Sequence, residues 1–152
     1  MKIYDINDAI KQLEAQDSAA FFTSGASMRP LLRTHKDIVV ISKVTQPLRV
    51  GDVPLYKKKG VNKLILHRII GIKDDNTYII RGDNTYHKEC VPHSDVVGVM
   101  TALYRSGKYI DCNNSKSYKT YVWFNNFVYP VRWLWKTKIR ATLGKIKRKI
   151  IK

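Results

Sequence analysis

Acidic residues run out early in this chain. The last is Asp111, and the stretch from Cys112 to Lys152 holds 11 lysines and arginines with no aspartate or glutamate. Of the 28 basic residues in the whole chain, 17 therefore precede Cys112, against all 12 acidic ones. The formal net charge of +16 thus resides mostly in the last quarter of the sequence, which calls for an anionic partner there rather than a cationic one. Cysteine is also scarce. Cys90 and Cys112 are too few for the disulfide framework that small secreted domains build from four or more. Long hydrophobic runs are missing too: no stretch of about 18 apolar residues could cross a bilayer. The opening "MKIYDINDAIKQLEAQDSAA" lacks the apolar centre of a secretory signal. These absences imply a cytoplasmic protein, peripheral on the inner membrane face. With 152 residues the chain suffices for one core.

What is present is mostly β pattern. After a helix expected over residues 5–17, capped by Asp5 with Ile6, Ile10 and Leu13 on one face, come runs of β-branched and aromatic residues. These are "AFFTSG", "DIVVIS", "DVPLYKK", "KLILHRIIGI", "TYIIRG" and "VVGVMTALYR", separated by turn-forming segments such as "QPLRVGD", "KDDN" and "GDNT". The spacing predicts a mainly β fold, a mixed or antiparallel sheet closing into a small barrel or sandwich. Pro54 inside its run predicts an edge strand or a bulge. Domain organisation follows the charge: residues 1–112 form the folded body and 113–152 an aromatic, then basic, segment. Pro130 divides that segment. Beyond it Val131, Leu134, Trp135, Ile139, Leu143 and Ile146 recur at helical spacing, as in a basic amphipathic helix that lies in a membrane interface through residues 130–152. The competing reading is a helix packed on the sheet with its basic face solvated.

Three residues could carry chemistry. Ser27 stands in "SGASMRPLL" behind the small residues Gly25 and Ala26, which permit close approach of a substrate backbone, and ahead of Met28 and the stiffening Pro30. A serine hydroxyl needs a neighbouring base to become a nucleophile. His67 lies in "LILHRII", where strict alternation along one strand would set Lys63, Ile65, His67 and Ile69 on one face. An imidazole titrates near working pH and suits that task. Asp83, after a glycine in "IIRGDNTY", could orient the imidazole. Each has a plainer explanation: a loop serine, a satisfied core histidine, and a turn aspartate that bonds its own backbone.

Taken in order, "SGASMRPLLRTHKDIVVI", "LRVGDVPLY", "LILHRIIGI" and "YIIRGDNT" resemble the serine-peptidase superfamily of type I signal peptidases and SOS-repressor-type self-cleaving proteins. The similarity covers about Phe21 to Arg105. Most bacterial signal peptidases and the self-cleaving repressors use a lysine base, whereas the endoplasmic-reticulum and archaeal branch uses histidine. His67-Arg68-Ile69 resembles the histidine branch. The resemblance implies Ser27 as nucleophile, His67 as general base, Asp83 as orienting acid, the Ser27 backbone N–H as oxyanion donor, and Gly25, Met28 and Pro30 lining the substrate. It implies a peptide or precursor-protein substrate and neither cofactor nor metal. Short bacterial members that end in an aromatic, Pro-Val-Arg-containing basic segment are the nearest in kind; "YPVRWLWKTKIR" matches that segment. Three positions depart from the pattern. No membrane helix precedes the serine box, Gly25 stands where some members carry an oxyanion-stabilising serine, and Pro54 stands where an aliphatic residue is usual.

Rival assignments are weaker. Lys63 lies four residues from His67, about 13 Å along a strand, so both could not serve Ser27. His87, Cys90 and His93 offer three zinc-type ligands where structural zinc normally takes four, and nothing near Cys112 in sequence would activate its thiol. The alternative of another class is a nonenzymatic peptidase-fold protein that grips anionic membrane or nucleic acid through its basic tail. Nucleic acid is disfavoured by the lack of a helix-turn-helix or stacking motif.

Overall fold

The computed structural model describes residues 6–135 apart from 59, 61, 62 and 75, and Asp5, Ile139, Leu143 and Ile146 lie outside the described residues. The chain divides into two compact units, Met1–Ser115 and Lys116–Lys152.

Among its described residues the first unit is mainly β, with two antiparallel sheets, one α-helix and one short 3₁₀ helix. Helix α1 (Ile6–Ala15) buries Ala9 and Leu13, one turn apart on one face, and packs against β1 (Ser18–Phe22) and β8 (Val96–Arg105). The larger sheet runs β1, β2 (Ile38–Ser42), β8, β3 (Pro54–Lys57) and β4 (Leu64–Leu66), and β9 (Lys108–Asp111) also pairs with β8. The smaller runs β5 (Arg68–Asp74), β6 (Thr77–Arg81) and β7 (Glu89–Pro92). Alternation decides which side of each strand is buried: Val39 and Ile41 on β2, Tyr78 and Ile80 on β6. One core cluster draws Tyr56 from the larger sheet together with Ile69, Tyr78, Ile80 and Val91 from the smaller, with Leu48 from the intervening loop.

One expectation about strands needs correction, and another holds in one of its two forms. "KLILHRIIGI" is not one strand. It breaks at His67, with β4 paired to β3 in one sheet and β5 paired to β6 in the other. The face shared by Lys63, Ile65, His67 and Ile69 therefore does not exist, and His67 sits in the joint between sheets. For Pro54 the edge alternative fails, since β3 pairs with both β4 and β8, while the bulge alternative is met by a register shift against β8 at Leu55/Tyr56. Pro54 is also the first residue of its strand, where a missing backbone donor is tolerated.

In the second unit, α2 (Lys116–Leu134) runs through Pro130, so the proline does not divide the segment as expected from sequence. It removes one backbone donor inside the helix instead. No helix among the described residues is long and apolar enough to cross a membrane.

Candidate active site

Three loops converge at the joint between the sheets. The first carries Ser27. It leaves β1 and turns at Gly25, whose φ of +87° is accessible to glycine at little steric cost. Thr34 Oγ1 donates to the Gly25 carbonyl, and Leu32 N–H to the Met28 carbonyl at 2.9 Å. Met28 is buried and anchors the loop, while Pro30 is exposed. A fully buried carboxylate clamps the far side: Asp37 receives Arg33 Nη2 at 2.7 Å and Arg105 Nη2 at 3.2 Å, and Arg105 also donates to the carbonyls of Pro30 and Leu31. Burial pushes the Asp37 carboxyl up, yet hydrogen bonds and charge from Arg33 and Arg105 outweigh it and hold the group below the usual range.

The second loop is Gly82-Asp83-Asn84, at the end of β6. Asn84 N–H donates to the Ser27 carbonyl at 2.7 Å, and Asn84 Nδ2 to the Ala26 carbonyl at 3.1 Å. The serine loop is thus pinned to this turn by two hydrogen bonds that span more than fifty residues of sequence. Gly82 is required for the approach. A Cβ there would meet the Ser27 carbonyl oxygen at 2.7 Å, Thr85 Oγ1 at 2.9 Å and His67 Nε2 at 3.0 Å. Its value is therefore its missing side chain; unlike Gly25, it does not adopt a positive φ. By the same measurements the Ser27 carbonyl oxygen and His67 Nε2 both lie within 3.0 Å of one atom position, and so no further apart than the sum of those two distances. Among the described residues neither the hydroxyl nor the backbone N–H of Ser27 makes a hydrogen bond.

The third element is the junction His67-Arg68. His67 is 8% exposed, and burial lowers its pKa; Glu89 opposes that shift, Lys58 adds to it, and Asp83 opposes it least. The imidazole is therefore neutral at neutral pH. Its Nδ1 faces Tyr56 Oη at 3.3 Å, and Tyr56 Oη donates to Glu89 Oε2 at 3.4 Å. Glu89 also receives Lys58 Nζ at 3.0 Å. A phenol has one proton. When it goes to Glu89, the phenol oxygen accepts from Nδ1–H, and Nε2 is left with its lone pair on the side of Gly82 and Ser27.

Asp83 receives Arg68 Nε at 2.8 Å and Arg68 Nη2 at 2.7 Å, both side chains being 1% exposed. Arg68 Nη1 donates to the Gly51 carbonyl at 2.7 Å. Gly51 N–H in turn donates to the Ile69 carbonyl, and Ile69 N–H to the Asp52 carbonyl. Asp83 thus ties the "VGD" turn and β5 to the turn that holds Ser27, and it acts on His67 through space. The hydrogen-bond partner of Nδ1 is Tyr56. Sequence reasoning missed Tyr56 and Glu89, and took Asn84 only as part of a turn. Of the first two, Tyr56 left a trace, as the residue two beyond Pro54 on the inward side of β3.

Of the three zinc-type residues, two lie in regular structure. Cys90 is exposed on β7, and His93, in a one-turn 3₁₀ helix, has its Nδ1 2.9 Å from Tyr78 Oη. A cavity of about 230 Å³ lined by Ile10, Leu13, Lys43, Lys57 and Ser94, among others, shares no residue with the Ser27–His67 region.

A Gly82→Ala protein probes the convergence of the loops. Its methyl must displace a backbone carbonyl, at an expected cost of about 1–3 kcal/mol in stability. A shift of about 1 Å between nucleophile and base is worth about a hundredfold in rate. Equilibrium urea unfolding and any turnover assay of the same protein measure the two effects separately.

No protein-family model matches the chain, and no curated protein matches it significantly.

Proposed function

We propose that this protein is a serine endopeptidase of signal-peptidase-like fold that cleaves a peptide or precursor protein by acyl transfer. The observation that carries the reading is the approach at Gly82, where the Ser27 carbonyl oxygen and His67 Nε2 both lie within 3.0 Å of one Cβ position although the two residues are forty apart in sequence, with burial favouring the neutral imidazole. In this reading the Ser27 oxygen attacks the scissile carbonyl carbon while its proton passes to His67 Nε2. The proton then passes to the departing amine as the C–N bond breaks. Water next attacks the acyl ester, giving a proton to the same nitrogen, and the proton returns to Ser27 as the acid product leaves. The free N–H of Ser27 is the oxyanion donor. Tyr56 and Glu89 hold the imidazole in the reactive tautomer, and Asp83 is a positioning residue that works mainly through Arg68. An extended substrate added to a sheet edge suits the architecture.

The test compares new peptide N-termini by mass spectrometry in cells that carry the wild type or Ser27→Ala at equal abundance. Termini dependent on Ser27 support the peptidase and report its cleavage preference. Identical termini in both strains, with the host's exported peptides expressed, contradict it.

The electrostatics around His67 give a pH prediction. Because burial lowers the imidazole pKa, the acid limb of kcat/KM lies below the ordinary histidine value of about 6.5. The Glu89 carboxylate is the strongest of the charges that favour the imidazolium, so Glu89→Gln moves the limb lower still. The same depression links to folding: the unfolded chain binds the proton more tightly, so this contribution to stability is present above about 6.5 and lost as pH falls through the folded value. Tyr56→Phe removes a hydrogen bond worth about 1 kcal/mol, or about fivefold in rate. A pH–rate series on the wild type, Glu89→Gln and Tyr56→Phe checks the rates, and urea unfolding at several pH values checks the stability.

A further inference from the structure

Helix α2 turns an apolar face outward. Trp123, Phe124, Phe127 and Val131 are 67, 56, 67 and 64% exposed, and Leu134 and the following Trp135 are 47 and 65% exposed. At about 100° per residue these six fall within an arc of about 120° on the helix surface. Trp123 and Phe127, one turn apart, stack with ring centroids 5.7 Å apart and planes 7° from parallel. A surface helix ordinarily keeps such an arc against a core. A contiguous exposed patch of this kind marks an interaction site.

Charge identifies the occupant. The segment from Cys112 onward carries 11 basic and no acidic residues, so a surface that meets this helix must tolerate a strongly cationic neighbour. Aromatic rings with tryptophan prominent, flanked by lysine and arginine, suit the headgroup boundary of a bilayer, where rings bury shallowly and cations meet lipid phosphate. We infer that the Trp123–Trp135 face of α2 inserts in the interface of a membrane rich in anionic lipid, lying on the bilayer. This places the insertion face upstream of the 130–152 helix expected from sequence. The inference is independent of the reaction assigned to Ser27.

All three tryptophans of the chain, Trp123, Trp133 and Trp135, belong to this stretch, so intrinsic emission reports on it alone. The full-length protein is titrated with phosphatidylcholine vesicles with or without about one-third phosphatidylserine. The expected result is at least tenfold tighter binding to the anionic vesicles, a blue shift of emission on binding, and loss of both in Phe124→Ser/Phe127→Ser/Val131→Ser. That variant retains all three tryptophans and every charge. Three outcomes overturn the inference. Binding without a blue shift, equal in the triple variant, reduces the contact to non-specific charge. A blue shift that depends on protein concentration without lipid assigns the face to a second copy. Salt-sensitive binding to duplex DNA with no preference for anionic vesicles assigns it to nucleic acid. Circular dichroism of the variant, unchanged in the β region, shows that the first unit still folds.

Discussion

His67→Ala is expected to slow the appearance of Ser27-dependent peptide termini by about a thousandfold, within the range of general base catalysis. The histidine is the titratable side chain that approaches the Ser27 backbone across Gly82, and burial keeps it neutral and ready to accept a proton. The fold should survive, because removing a neutral imidazole leaves no buried charge behind. Tyr56 then loses one of two partners and keeps Glu89. Rates for His67→Ala and for the double variant with Ser27→Ala should be nearly the same, since residues that act as one unit do not add. Equal rates in wild type and His67→Ala would remove the imidazole from the mechanism.

The second large effect is on folding. Asp83→Ala strands the Arg68 guanidinium in a site where both side chains are 1% exposed, and breaking such a pair costs about 3–5 kcal/mol. That is a large share of the roughly 5–15 kcal/mol by which a domain is stable. Removing both partners together should do far less harm. Arg68→Met/Asp83→Leu takes both charges out of the interior and should regain most of the stability in urea unfolding. Turnover should remain depressed in this double variant, because the link from the Gly82 turn to β5 and Gly51 is gone. A double variant that recovers both stability and rate would show that Asp83 does nothing for the site beyond balancing a charge.

The contrast between these two residues shows where a sequence can be read and where it cannot. "VVGVMTALYR" becomes β8 residue for residue, because ten mostly apolar, β-prone residues have no competing local structure. "KLILHRIIGI" has equal propensity throughout, and its break at His67 is set by pairing: β3 takes the first half and β6 the second. No local pattern encodes that choice. Strand β7 escapes the sequence for a related reason. "ECVP" lies among histidines and a proline and becomes a strand through its pairing with β6.

The candidate site divides the same way. Ser27, His67 and the Gly82–Asn84 turn stand out as residue types in order and spacing. Which group faces His67 Nδ1 depends on a joint between two sheets that only tertiary packing creates, so the roles of Tyr56 and Glu89 carry no local signal. Asp83 stands out as an acid beside a turn glycine, but the arginine that takes its carboxylate is the residue next to His67 itself. The outward aromatic arc of α2 is hidden by Pro130, which reads as a boundary inside what is a continuous helix.

The most direct test of the central claim is exposure of the purified full-length protein to a fluorophosphonate, followed by intact-mass measurement and peptide mapping. One phosphonyl adduct is expected, on the Ser27 oxygen within residues 24–32. It should be absent in Ser27→Ala, and its rate should fall with pH as His67 gains its proton. No adduct on the folded protein, under conditions that fully label a known serine peptidase, would contradict the assignment of Ser27 as an activated nucleophile.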